Sequence, residues 1–164
     1  MRFSMKWVPS AVLAASLCLP FAAFAQSAPV PYGAPVTTET AKKVAAAALA
    51  EGKKNGWNVA AAVVDTGGVL VYFERLENTQ NGSTEASLEK ARTSAAFRRP
   101  TKAFEDVVLG GKVNYTKLPG ATPIEGGLPI VVDGKIVGAI GISGASSAQD
   151  GVCAKAGVDA LTVK

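Results

Sequence analysis

The chain contains no histidine, so the side chains left for chemistry are carboxylates, amines, guanidinium groups, hydroxyls, phenols and thiols. This excludes serine-histidine and cysteine-histidine hydrolases and removes the commonest metal ligand. Two glutamates are candidate general bases: Glu125, which precedes Gly126 and Gly127, and Glu85. A carboxylate becomes a useful base when burial raises its pKa. A glutamate beside two glycines is also typical of a turn or an oligomer contact, so both interpretations stay open.

A dense group of basic residues lies at Lys90, Arg92, Arg98, Arg99 and Lys102. Such a group either forms an ordinary solvated helix face or binds carboxylates and phosphates. Lys90 and Arg92 are two apart, so on a helix they diverge by about 160 to 200 degrees. We expect Arg92 to be partly covered beside a carboxylate or carbonyl, so that Arg92→Ala lowers stability. Lys90 is expected to reach solvent and to bind an anionic ligand.

The N-terminal residues 1–25 have the pattern of a secretory signal peptide. Arg2 and Lys6 precede an apolar run over residues 7–24, and alanines at 23 and 25 fit the cleavage rule. Prolines and serines interrupt the run, which argues against a membrane anchor. A lipoprotein signal at Cys18 is a weaker alternative, because Leu17 is bulky. The prediction is a periplasmic or secreted protein with no membrane segment after cleavage.

The remaining residues, 26–164, are enough for one domain with its own core. The signal peptide carries two of the positive charges in the formal net charge of +4, so nucleic-acid binding is not indicated. Residues 26–36 contain three prolines and should form an extended lead-in. A single domain then spans 37–164. Its one cysteine, Cys153, has no partner in the mature chain and is expected to be buried in the core.

Apolar spacing predicts the elements that position these residues. A first helix is expected from a cap at Thr37 to Asn55, followed by a hairpin over 59–75. Further helices are expected from Ser83 or Thr84 to about Arg99, over 101–109, and after a cap at Ser146 or Ser147. Asp150 could complete a capping box in the last helix, whose apolar stripe would include Val152.

The central stretch, residues 125–144, reads as two strands joined by Asp133-Gly134. This turn places Val132 opposite Lys135 and Ile130 opposite Val137. The resulting alternation puts Ile130 on one face with Ala139, and Ile140 and Ile142 on the other. Because both faces are apolar, we expect helices on each side of the sheet. Glycines at 138 and 141 would let a helix or a ligand approach the backbone.

Three segments resemble a known family. They are KARTSAAFRRPT at 90–101, LPGATPIEGGLPIVVDGKIVGAIGISG at 118–144 and QDGVCAKAGVDAL at 149–161. Together with the first helix and hairpin, they are similar to the GlcG/HbpS family of haem-degrading or haem-binding proteins. The resemblance implies an α/β (α+β) class and a profilin-like three-layer α/β/α fold with a five-stranded antiparallel sheet. It also implies assembly into homo-oligomers and, for some members, haem binding.

Two functions from different classes follow. The first is an exported module that binds haem or a related tetrapyrrole in a cleft beside Glu125, Gly126 and Gly127, with basic residues at its rim. In a chain without histidine the haem iron would use Tyr115, our preferred candidate, another tyrosine, Cys153, Thr101, or no protein ligand. The ordinary alternative for Tyr115 is a ring packed into the edge of the core.

The alternative is an enzyme that acts on a small carboxylate or aldehyde. Glu125 or Glu85 would serve as the base, and Lys90 or Arg92 would orient the substrate. No phosphate loop, metal-ligand spacing or complete catalytic set accompanies these residues, which favours binding over catalysis.

Overall fold

The computed structural model describes residues 28–161, so the predicted signal peptide lies outside them. The element order is α1 (Thr38–Lys54), β1 (Ala60–Asp65), β2 (Leu70–Arg75), α2 (Gly82–Phe97), α3 (Lys102–Leu109), a 3-10 turn (Val113–Lys117), β3 (Gly127–Val132), β4 (Lys135–Ser143) and α4 (Ser147–Asp159). Within this part of the chain no helix combines the length and the apolarity needed to cross a membrane.

The sheet has antiparallel strands in the order β2-β1-β4-β3. The prediction of five strands is wrong, since residues 28–161 form four. The lead-in runs beside the hairpin end of β4, where Ile136 N donates to Pro31 O at 2.9 Å and Gly33 N donates to Ile136 O at 2.7 Å. It forms only an isolated bridge between Tyr32 and Ile136. Prolines at 29, 31 and 35 lack the N–H groups that a regular ladder needs.

Helices cover both faces of the sheet, as the two-sided apolarity predicted. The larger core packs α1 and α4 on one face and includes Val44, Ile140 and Cys153, all fully buried. On the other face, Ala91 and Ala95 of α2 pack on β1 and β4. The domain is therefore an α+β layered structure whose sheet lies between α1 and α4 on one side and α2 on the other.

Gly141 shows why α2 can lie so close to the sheet. A Cβ at this position would overlap the Ser87 carbonyl and lie 2.5 Å from Ala91 N. The prediction that a helix approaches the backbone here is confirmed. This close approach fixes which side of α2 faces the sheet, and so fixes the positions of its basic residues.

The central hairpin has the predicted turn but not the full predicted register. Val132 pairs with Lys135 as expected, whereas an irregularity between Ile130 and Val131 pairs Ile130 with Gly138 instead of Val137. A one-residue shift moves a side chain to the opposite face. Ile130 therefore lies in the core with Ile140, and the prediction that it faces the same side as Ala139 is wrong.

The caps of two helices follow the sequence closely. Thr37 Oγ1 accepts a hydrogen bond from Thr40 N at 3.1 Å at the start of α1. Ser146 caps α4, and its reciprocal partner is Gln149 rather than Asp150. Val152 is half exposed, so the predicted apolar stripe of α4 is wrong at that residue. The carboxylate of Asp150 contacts Lys90 and the backbone of Ala145 instead.

Candidate functional site

Lys90 and Asp150 form a buried ion pair. The Lys90 Nζ to Asp150 Oδ2 distance is 2.8 Å, and both side chains are 3% exposed. Lys90 Nζ also donates to Ile142 O at 3.0 Å. The prediction that Lys90 reaches solvent is wrong, because α2 crosses the sheet with this residue turned toward the end of β4 and the start of α4. Lys90 therefore connects three elements.

Asp150 anchors the start of α4. Its Oδ1 accepts from Ala145 N at 3.1 Å, while Oδ2 pairs with Lys90. Burial raises the pKa of the Asp150 carboxyl, and the Lys90 ammonium opposes that rise. The pairing was not predicted, because the two residues are sixty positions apart. The signal in the sequence that could have indicated this pair is the acidic residue in the first turn of α4.

Gly126 and Gly127 pack against Lys90, Asp150 and Thr101, and we call this contact region the junction. Gly126 has a φ of 127°, and a Cβ there would lie 2.9 Å from both Lys90 Nζ and Asp150 Cβ. Gly127 N donates to Thr101 Oγ1 at 2.9 Å, and Thr101 N donates back to Gly127 O at 3.0 Å. Thr101 is fully buried. These residues lie together as the sequence suggested, but they face one another instead of an open cleft.

Glu125 lies at the surface of that junction. Its side chain is 20% exposed, and its Oε2 is 3.8 Å from Lys102 Nζ. The carboxylate packs against Gly151 of α4, where a Cβ would collide with it. Burial raises the pKa of Glu125, while Lys102 acts in the opposite direction. Glu85, the other candidate base, is exposed in the first turn of α2.

Arg92 lies on another side of α2 and remains accessible. Arg92 Nη1 is 2.8 Å from Glu89 Oε1, and Arg92 Nε donates to Gly68 O at 3.3 Å. The predicted carboxylate and carbonyl partners are confirmed. The side chain is 43% exposed, however, and with Glu89 it borders a cavity of about 260 Å³.

Tyr115 borders a cavity of about 330 Å³ together with Asn114, Lys117, Leu118 and Pro119. Its ring also lies 6.4 Å from that of Phe104, so it both packs on the domain and faces a concave surface. Phe104 in turn contacts Phe97, and the Arg99 guanidinium lies 5.5 Å from the Phe104 ring centre. The region around Tyr115 therefore combines aromatic and aliphatic surface with cations.

The other candidate iron ligands are occupied or enclosed. Tyr32 OH donates to Ala95 O at 2.7 Å, and Tyr72 OH donates to Glu74 at 2.6 Å. Cys153 is fully buried, and burial raises the pKa of its thiol to about 11. In the part of the chain that the structure describes, no three histidine, cysteine or acidic residues are grouped to hold a metal ion.

The fold and these sites define a single layered α+β domain with a surface cavity and a buried ion-pair junction. The chain belongs to the HbpS-like family, described as haem degrading protein HbpS-like, whose model matches residues 36–159. It is 41% identical to Protein GlcG of Escherichia coli (strain K12) over 108 residues, covering 66% of this chain and 81% of that protein.

Two solved structures are similar along the described domain. The crystal structure of HbpS has a TM-score of 0.73 and 32% identity, covering 79% of this chain and 92% of that one. The crystal structure of a PduOC:haem complex has a TM-score of 0.70 and 25% identity, covering 79% of this chain and 97% of that one. The family and one structural neighbour are thus haem-related.

Proposed function

We propose that this protein binds haem or a related tetrapyrrole at the Tyr115 cavity. The observation that carries the proposal is the combination of the cavity's apolar lining with a phenol and a cation, in a chain of the HbpS-like family. A tetrapyrrole needs an apolar surface for its macrocycle and cations for its carboxylates. Leu118 and Pro119 supply the apolar surface, and Lys117 supplies a cation at the rim.

The residues that line the Tyr115 cavity fit a haem group. A tyrosine oxygen is one of the haem iron ligands that proteins use. The phenol of Tyr115 makes no hydrogen bond to another of residues 28–161, unlike those of Tyr32 and Tyr72. The cavity of about 330 Å³ is at the small end of the usual ~300–1,000 Å³ for ligand pockets, so part of the macrocycle would protrude.

A Soret titration of the mature protein tests this proposal. Wild type is expected to give a saturable, shifted band, and Tyr115→Phe is expected to change the band position while keeping the ring contact with Phe104. Tyr72→Phe is the matched control, because it removes a phenol on β2. An unchanged free-haem spectrum at micromolar wild-type protein would overturn haem binding. A shift that survives unaltered in Tyr115→Phe would overturn the ligand assignment.

We further propose that the protein is exported, on the pattern of residues 1–25. Expression of the full chain in a bacterial host should yield a periplasmic form whose N-terminal residue is Gln26, measured by intact mass. Replacing Ala23 and Ala25 by bulky residues should leave the uncleaved form. A cytosolic product that retains Met1 would contradict export.

One observation supports the alternative of catalysis on a small carboxylate or aldehyde. Glu125 is an accessible carboxylate whose pKa is raised by burial, and Lys102 lies 3.8 Å away to orient an anion. Turnover of such substrates that is lost in Glu125→Gln but retained in Glu85→Gln would favour this function. Equal turnover in both variants would remove Glu125 as the base.

A further inference from the structure

Two adjoining cavities lie where β1 begins and β2 and β4 end. Their volumes are about 410 and 360 Å³, and Gly56, Asn58 and Asn78 border both of them. The Tyr115 cavity has an entirely different lining. The two cavities therefore adjoin, and we call them together the polar groove.

The walls of the polar groove are held by backbone hydrogen bonds. Trp57 N donates to Gly52 O at 2.8 Å, and Leu76 N donates to Val59 O at 3.0 Å. The buried Thr79 hydroxyl donates to Leu76 O at 2.7 Å and closes the turn that carries Asn78. Asn78 has a φ of 61°, a left-handed conformation that asparagine tolerates better than most residues. The wall is thus formed in advance of any ligand.

Four of the twelve residues that border the groove carry amide side chains. They are Asn58, Asn78, Gln80 and Gln149. The first three make no side-chain hydrogen bond to any other of residues 28–161. Each amide offers both donors and an acceptor, and a hydroxyl group needs the same combination. Exposed amides without a partner in the protein can therefore bond to the hydroxyls of a ligand.

Charge is confined to one end of the groove. Lys53, Arg75 and Glu77 border the larger cavity, which gives that end two cations against one carboxylate. Arg75 Nη1 donates to Asn81 Oδ1 at 3.3 Å, which helps to hold the guanidinium in position. The smaller cavity is lined by neutral residues, including Gly144 and Ala145 between β4 and α4. This asymmetry suits a ligand with one anionic end.

We propose that the polar groove binds a polyhydroxylated anion, such as a sugar acid. Its hydroxyls would bond to the amides of Asn58 and Asn78, and its carboxylate or phosphate would pair with Lys53 and Arg75. The proposal is independent of haem binding, because the groove and the Tyr115 cavity share no lining residue.

Calorimetric titration with matched probes tests the proposal. Gluconate carries both features, sorbitol lacks the carboxylate, and hexanoate lacks the hydroxyls. Gluconate is expected to bind at least about tenfold more tightly than either, because each of the other two lacks one of the two kinds of contact. Glucose 6-phosphate distinguishes a phosphate-terminated ligand from a carboxylate-terminated one. Equal affinity for gluconate and hexanoate would overturn the proposal. So would the absence of heat with both gluconate and glucose 6-phosphate at millimolar concentration.

Two variants locate the site. Asn78→Gly removes the amide while preserving the left-handed backbone. Lys53→Met removes a positive charge from the end of the groove that would bind the carboxylate. Each should weaken gluconate binding by about tenfold or more while leaving the melting temperature and the haem titration unchanged. Lys43→Met, at an exposed position on the same helix as Lys53, is the matched control. An equal loss in the Lys43 variant would show that binding is not in the groove.

Discussion

Lys90 and Arg92, two residues apart on α2, have roles opposite to those expected from the sequence. Lys90 is buried against Asp150, and Arg92 is a half-exposed residue paired with Glu89. An exposed ion pair contributes about 0–1 kcal/mol, whereas a buried charge that loses its partner is costly. The residue that matters for stability is therefore the lysine.

Lys90→Ala should lower the free energy of unfolding by about 3–5 kcal/mol, because Asp150 would be left buried without its cation. Arg92→Ala, the matched control on the same helix, should change it by less than about 1 kcal/mol. Urea denaturation of both variants measures the difference. Similar losses in the two variants would contradict this assignment of roles.

Glu125 should make stability depend on pH in a defined direction. Its pKa is raised in the folded state, so between the unfolded value of about 4.3 and the folded value the native protein binds more protons than the unfolded chain. The contribution of this group to stability therefore falls as pH rises through that window.

The Glu125→Gln variant cannot ionise and should not show this dependence. Relative to wild type it should be more stable at neutral pH, and the difference should vanish at pH values below the unfolded pKa. Thermal melts of both proteins across the acidic range measure it. A variant that is less stable than wild type at neutral pH would show that the carboxylate is stabilised by Lys102 instead.

At the scale of elements, the contact between α2 and β4 depends on the absence of a side chain at Gly141. Gly141→Ala should destabilise the protein by about 1–3 kcal/mol, because its Cβ would overlap the Ser87 carbonyl. Gly82→Ala is the matched control, since a Cβ at the start of α2 meets no atom within 4 Å. That substitution should be neutral or stabilising by about 0.4–1 kcal/mol.

Thermal or urea unfolding separates these two glycine variants. If Gly141→Ala unfolds at the same denaturant concentration as wild type, the helix can move away from the sheet without cost. The close packing of α2 would then not be a constraint on the fold.

At the scale of the whole molecule, exposed apolar residues remain at the end of α3 and in the following turn. Leu109 is 78% exposed and Val113 is 66% exposed. We predict that the protein forms homo-oligomers through this surface, because association removes such patches from water. Light scattering should give a multiple of the mass of one chain, and Leu109→Glu should lower it. Val69→Glu, at an exposed position in the β1–β2 turn, should not.

A mass near one chain at every working concentration would contradict the prediction of self-association. An equal effect of the two glutamate substitutions would contradict the choice of surface.

Much of this fold could be predicted from local sequence. Thr37 and Ser146 identify helix starts because a hydroxyl at the cap accepts a backbone hydrogen bond. Asp133-Gly134 identifies the central turn because few residue pairs adopt its backbone conformation. Resemblance over three segments gave the family. The composition alone excluded histidine chemistry, since that depends on residue type and not on position.

Tertiary structure decided the features that depend on distant residues. The partner of Lys90 is sixty positions away, so only the crossing of α2 over the sheet brings it to Asp150. The face of Ile130 depends on a strand irregularity that short-range alternation does not reveal. The polar groove joins the ends of α1, β2 and β4, so no single stretch contains it. In each case the outcome depends on packing between elements, whose geometry is fixed by the whole core and not by neighbouring residues.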